Sequence, residues 1–331
     1  MTPRLVRGVL QALTALSLGY AGASQASSCA LGAGTTGTVD FGTVNPLLPA
    51  DTFSDGGQIV VTCTFTALGL FARVCFGLGL GSTSTSTNPR TLGAGGNRMN
   101  YNLYTDAAHS QVWGASTSSG PTSVLLTGPL IIGGGNVSTV FKFYGKLPGN
   151  QPLVSTVNNA NTQYSETYAS TATVDYVFGL GGLASCPIAP TQRITVPLTV
   201  TALVQKNCTI SATDLAFPPR GVLTSATTAN SSITVKCTNK NAFSVALNGG
   251  SVANNVLARR MKHSTAADTV GYQLYQDGGY ATVWGDASGG TPLTGTGTGS
   301  NQTFTVYGRV PAQTTPRPGD YKDVVTATIT F

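Results

Sequence analysis

Ile194-Thr195-Val196-Pro197-Leu198-Thr199-Val200-Thr201-Ala202-Leu203-Val204 alternates along its length. Val196, Leu198, Val200, Ala202 and Val204 recur at period two on one side, and Thr195, Thr199 and Thr201 fall on the other. Side chains of an extended strand point to opposite faces in turn, so the pattern predicts a strand with one apolar face. The residues before it read as one β domain. Four residues beyond it, Cys208 opens a second region that repeats the landmarks of the first. The strand therefore stands on a seam, and the organisation of the chain turns on which domain it completes.

The two regions match in order. The first holds Tyr101-Asn102-Leu103-Tyr104 and Trp113-Gly114; the second holds Tyr272-Gln273-Leu274-Tyr275 and Trp284-Gly285. Tyr144-Gly145-Lys146-Leu147-Pro148 answers Tyr307-Gly308-Arg309-Val310-Pro311. Each region closes on an alternating run, Thr171 to Phe178 and Val325 to Phe331, and each begins with a cysteine and a strand entering a second cysteine. Five landmarks in the same order define a tandem duplication. Aligning the halves places Cys29 with Cys208 and Cys63 with Cys237. Of the 15 pairings open to six cysteines, the repeat selects Cys29–Cys63 and Cys208–Cys237 and leaves Cys75–Cys186 to the first half.

Composition points the same way. Charged residues make up 9%, glycines number 41, and the only glutamate is Glu166. Long helices draw on Ala, Leu, Glu and Lys, whereas Thr, Val and Tyr among Gly and Asn turns favour short strands. A hydrophobic content of 41% is enough to build cores. Arg4 and Arg7, the apolar run from Val9 to Ala23 and Ser24-Gln25-Ala26 read as a secretory signal over 1–26, which sets the cysteines in an oxidising compartment. The expected fold class is all-β, with an antiparallel β-sandwich in each half. The expected divisions are a first domain over 27–187, a linker with the seam strand over 188–206, and a second domain over 207–331.

The chemistry of catalysis is not visible. Two histidines and one glutamate offer no nucleophile–base pair, and no GxSxG, HExxH or phosphate loop occurs. Asp106 and Asp277 recur at matching places and read as turn residues. No CxxC or histidine-rich spacing suggests a metal, and no cofactor is expected. The net charge of +6 is spread thinly, without the basic run that nucleic-acid binding requires. The expectation is a protein that is not an enzyme.

On these residues the chain resembles the spore coat protein U domain family, which includes subunits of archaic (Csu-type) chaperone–usher pili. The resemblance rests on the early cysteine pair, Tyr-x-Leu-Tyr, Trp-Gly, Tyr-Gly-x-x-Pro and a terminal alternating strand ending in Phe. It is stronger after Cys208, where Arg260-Met261, Trp284-Gly285-Asp286 and Gly319-Asp320-Tyr321 join it. It implies that the all-β chain forms two tandem immunoglobulin-like antiparallel β-sandwich domains, the second lacking its last strand. A periplasmic pilus chaperone fills the gap first, and the N-terminal strand of a shaft pilin replaces it at the outer-membrane usher, by β-augmentation. It further implies secretion through the periplasm to a fimbrial tip and a role in adhesion to abiotic or host surfaces and in biofilm formation. Two other readings stand beside it: a structural shaft or coat subunit, and a secreted carbohydrate-binding β-sandwich.

Within that resemblance the seam strand takes a role. Only Ser27-Ser28 separate the expected cleavage site from Cys29, too few for a donor strand, while Val196, Leu198, Val200, Ala202 and Val204 lie where a donor would stand before Cys208. They are expected to complete domain one in cis. Val325, Ala327, Ile329 and Phe331 are then the donor-accepting strand of domain two. Three apolar runs in domain one have no counterpart in domain two and are expected to form surface-binding loops at its distal end. They are Leu47 and Leu48 between two prolines; Leu125, Leu126, Leu130, Ile131 and Ile132; and Phe178, Leu180 and Leu183 after the terminal strand.

Overall fold

The computed structural model describes residues 26–66, 70–114, 122–130, 134–181, 186 and 192–331. The expected signal segment, save Ala26, lies outside them. Among the described residues no helix is long and apolar enough to cross a membrane. The fold is all-β.

Domain one comprises β1 (Ser28–Leu31), β2 (Thr38–Val44), β3 (Thr52–Phe65), β4 (Phe71–Leu78), β5 (Arg90–Ala94), β6 (Asn97–Tyr104), β7 (Thr122–Thr127), β8 (Gly135–Leu147), β9 (Thr162–Tyr168), β10 (Ala172–Gly179), β11 (Gln192–Thr195) and β12 (Leu198–Val204). They form an eight-stranded sheet ordered β1-β3-β8-β6-β5-β9-β12-β2 and a four-stranded sheet ordered β11-β10-β4-β7. Inward residues of both sheets, Ile59, Phe76, Trp113, Phe141, Tyr164 and Val200 among them, close one core.

Domain two comprises β13 (Cys208–Ala212), β14 (Thr227–Cys237), β15 (Ala242–Leu247), β16 (Arg260–His263), β17 (Thr269–Gly271), β18 (Gln273–Tyr275), β19 (Leu293–Thr296), β20 (Asn301–Val310), β21 (Tyr321–Lys322) and β22 (Ala327–Thr330). Its ladders β13-β14-β20-β18, β19-β15-β22 and β17-β16-β21 repeat β1-β3-β8-β6, β7-β4-β10 and β6-β5-β9 of domain one, with β17 and β18 together in the place of β6. Thus β3·β8 answers β14·β20, and β4·β10 answers β15·β22.

The duplication extends to side chains. Trp113 and Trp284 are fully buried. Trp113 Nε1 donates to the carbonyl oxygen of Phe76 at 3.2 Å, and Trp284 Nε1 to that of Val245 at 2.9 Å. A buried arginine sits beside each. Arg90 Nη2 donates to the carbonyl oxygens of Leu78 and Trp113, both at 2.9 Å. Arg259 Nη2 donates to those of Leu247 at 3.0 Å and Trp284 at 2.9 Å. A guanidinium offers five donors in a planar fork, which is how one side chain satisfies carbonyls from two strand ends at once.

Disulfides join Cys29 to Cys63, Cys208 to Cys237 and Cys75 to Cys186. The first two cross β1·β3 and β13·β14 at matching rungs. The third closes 111 residues and holds Cys186, beyond β10, to the buried middle of β4.

Candidate functional site

Two regions carry the functional question: the edge that β11 and β12 occupy in domain one, and the end of domain one farthest from domain two.

The segment 192–204 runs antiparallel beside the last two strands of domain one. β11 pairs with β10, Thr195 opposite Thr173, and β12 pairs with β9, Leu198 opposite Tyr168. On its other side β12 pairs in parallel with β2. Val196, Leu198, Val200, Ala202 and Val204 are all buried in the core. Arg193 on β11 forms a two-pronged ion pair with buried Asp175 on β10, Nε to Oδ1 at 2.5 Å and Nη2 to Oδ2 at 3.1 Å. That bond holds the Arg193 pKa above its usual value. Burying the five apolar side chains contributes roughly 7–15 kcal/mol as a gross upper bound, at about 1.5–3 kcal/mol each.

Among the described residues no strand of domain two stands where β11 and β12 stand in domain one. Among the described residues β21 pairs only with β16, and β22 only with β15. Their free edge borders a groove of about 560 Å³, lined by Leu215, Phe217, Met261, Tyr272, Val325 and Ala327 among others. Val325, Ala327, Ile329 and Phe331 point inward at period two yet remain only half-buried. The equivalent row in domain one, Ala172, Val174 and Tyr176, is buried. At the groove floor Tyr272 donates its hydroxyl to Asp323 Oδ2 at 2.7 Å; burial and this bond raise the tyrosine pKa far above its usual value. The same device recurs in domain one, where Tyr101 donates to Glu166 Oε2. Burial again raises the tyrosine pKa.

The far end of domain one is set by strand direction. Phe71, opening β4, lies opposite Thr127 at the end of β7 and Gly179 at the end of β10, and Phe65 lies opposite Gly135. Leu70 and Gly128, with Thr66 and Leu180, stand at this end. They touch there: Gly128 N donates to the carbonyl oxygen of Leu70 at 3.0 Å. Domain two docks at the other end of β8. Asn239 Nδ2 donates to Leu153 O at 3.0 Å and Ser155 Oγ at 2.8 Å, and Ala242 N to Asn159 Oδ1 at 2.9 Å. The 13 residues of β8 span roughly 40 Å between the two ends at strand rise.

This geometry corrects part of the surface-loop expectation. Leu47 and Leu48 sit at the domain junction, where Lys236 Nζ donates to Leu47 O at 3.2 Å. Leu47 is 8% exposed and belongs to the core, while Leu48 is exposed. Leu126 is an inward residue of β7, 7% exposed, because alternation turns it away from solvent-facing Leu125. Phe178 lies within β10, half-buried, with its ring 5.3 Å from that of Phe65. Leu130 and Leu180 both stand at the far end, 85% and 80% exposed. Ile131, Ile132 and Leu183 fall outside the described residues. Leu70, which leads into β4 at the same end, was not among the expected residues; the apolar Leu68-Gly69-Leu70 entering a strand was the available signal.

With this geometry the chain can be placed among known proteins. The Spore Coat Protein U domain model matches residues 14–175 and 194–328, and the chain belongs to that family. Over 73 residues, 22% of its length, it is 41% identical to Protein U of Myxococcus xanthus; the match spans 40% of that relative. A chain in the crystal structure of the CsuC–CsuE chaperone–tip adhesion subunit pre-assembly complex, from archaic chaperone–usher Csu pili of Acinetobacter baumannii, has a similar fold. Its TM-score is 0.51 at 16% identity, over 92% of this chain and 100% of that one. The CupB6 tip adhesin of Pseudomonas aeruginosa aligns over 92% of this chain and 94% of its own, with 12% identity and a TM-score of 0.36.

Proposed function

We propose that this protein is a tip subunit of a chaperone–usher pilus, carried to the cell surface through the periplasm. Domain two joins it to the shaft by accepting a donor strand, first from a periplasmic chaperone and then, at the outer-membrane usher, from a shaft pilin. Domain one meets abiotic or host surfaces through apolar residues at its far end and so supports biofilm formation. The observation that carries this reading is the contrast between the domains: residues 192–204 fill in domain one the edge that stands open in domain two. The internal strand in one half supports a strand as the ligand of the other. The fold shared with the Csu pre-assembly complex supports the reading.

Adhesion of this kind is non-directional. Leu130 and Leu180 present apolar side chains without polar groups that would select a receptor, and burying each against an apolar surface yields about 1.5–3 kcal/mol before association costs. The test separates assembly from attachment. Leu125, Leu130, Ile131, Ile132, Leu180 and Leu183 are replaced together by Ser, with Leu48→Ser as a control at the domain junction. Fibres of normal length, labelled at their ends by immunogold, together with lost attachment to plastic support the reading. Undiminished attachment assigns the protein a structural role, and label along the shaft overturns the tip position.

A further inference from the structure

Domain two carries a cavity that neither the donor groove nor the shared fold accounts for. It lies on the opposite face of the strands that floor the groove. Residues 269–275 run extended through β17 and β18, so Tyr272 and Leu274 point into the core while Gly271, Gln273 and Tyr275 point out. Arg260 is the cross-strand partner of Gly271, and Arg309 is that of Gln273. Partners across an antiparallel ladder share a face. Two arginines therefore flank one extended strand, and Gly271 between them leaves the space open. The result is a cavity of about 540 Å³, within the range of small-ligand sites, with Leu257 and Val283 among its walls.

Its chemistry is cationic and aromatic. Among the described residues neither Arg260 nor Arg309 joins a salt bridge. Arg260 Nη1 donates to Thr269 Oγ1 at 3.1 Å, and the Arg309 guanidinium lies 5.3 Å from the centre of the Tyr280 ring. Tyr280 packs edge-on against Tyr275, 5.5 Å between ring centres. No carboxylate lines the cavity. Asp277, two residues past Tyr275, is turned back onto the N–H groups of Ala281 and Thr282.

Domain one shows that the fold does not require this arrangement. The ladder positions correspond: Gln313 brackets Gly271 through its N–H and carbonyl as Gln151 brackets Asn100. At the place of Arg260 stands Thr91, opposite Asn100 rather than a glycine. At the place of Arg309 stands Lys146, opposite Asn102 and paired with Asp51 at 2.7 Å. The unpaired cations and the glycine opening thus belong to domain two alone.

We propose that this cavity binds an acidic polysaccharide carrying one carboxylate per sugar, of the uronate type. Planar guanidinium groups pair carboxylates in two-pronged fashion, and the Tyr275 ring in the cavity wall offers apolar surface to a sugar. Two cations on either side of one strand suit a polymer with isolated charges. A nucleic acid needs a longer run of phosphate contacts than this face provides.

The test uses the full chain as purified from the periplasm, titrated by calorimetry with oligogalacturonate and, in parallel, with neutral dextran and dextran sulfate. Binding to oligogalacturonate but not to dextran is expected, weakened roughly tenfold or more by Arg260→Gln or by Arg309→Gln, since each removes one charge-assisted pair. Tyr275→Ala should weaken it as well, and Lys146→Gln, at the matching place in domain one, should leave it unchanged. Both arginines reach solvent, so unchanged melting of the variants shows that the fold persists. No binding to oligogalacturonate overturns the proposal. Equal binding to dextran sulfate with no effect of Tyr275→Ala also overturns it, since the face would then be a general cationic surface.

Discussion

Val200 lies directly opposite Glu166 across the β12·β9 ladder, and both are fully buried. Glu166 is already held by the hydroxyls of Tyr101 and Tyr168 and by the N–H groups of Thr83 and Ser84. The seam strand therefore closes a core that contains a carboxylate whose hydrogen-bond partners are already in place. Val200→Asp would place a second carboxylate against the first. Loss of several kcal/mol is expected, enough to unfold domain one. Leu203, half-exposed on the other face of β12, should tolerate Asp at a cost below about 1 kcal/mol. Urea unfolding followed separately for each domain checks the pair; equal effects would refute the register.

The groove of domain two should accept a strand supplied in cis. Appending a copy of residues 192–204 after Phe331 through a flexible linker should give a monodisperse chain that no longer copurifies with a periplasmic chaperone. Amide protons of β22 should become protected against exchange, because its free edge gains a ladder partner. If the unmodified chain already behaves this way, the groove has no need of an occupant.

Arg259→Met should destabilise domain two far more than the loss of a surface arginine does. Its Nη2 and Nε serve the carbonyl oxygens of Leu247, Asn248 and Trp284, all of which the methionine leaves without a donor. Each buried group left unsatisfied costs about 1–3 kcal/mol, so a loss of about 3 kcal/mol or more is expected in denaturant melts. Arg260→Met, one residue on and exposed, serves as the comparison.

Acid should weaken the turns that carry Asp106 and Asp277. Gln111 N–H bonds the Asp106 carboxylate at 2.7 Å, and Thr282 N–H bonds Asp277 at 2.7 Å; these bonds are the main reason each pKa lies below the ordinary 3.8. A carboxylate with a lowered native pKa contributes stability that is complete above its unfolded value and disappears as pH falls through the native one. Asp106→Asn should therefore lower Tm at pH 7, and the gap to the parent should close below pH 3.8. A gap that persists at the lowest pH would mean that shape, not charge, holds the turn.

Much of the architecture was open to reading along the chain, for reasons local to it. Period-two alternation from Val196 to Val204 marks a one-sided strand whatever surrounds it, because neighbouring side chains must point apart. The paired landmarks, Tyr101 with Tyr272 and Trp113 with Trp284, reveal the duplication because the same fold asks for the same core at the same intervals. Only the tertiary structure decided which apolar residues face water. Leu126 and Leu130 belong to one hydrophobic run, yet one fills the core and the other stands free, since strand register and where the strand ends set exposure. Leu47 and Leu180 look alike in sequence but lie at opposite ends of the domain, because strand direction places them. Arg90 and Arg259, Arg260 and Arg309 show no periodicity that separates a buried guanidinium from a free one. That difference arises from carbonyls and cross-strand partners that meet only once the sheets have formed.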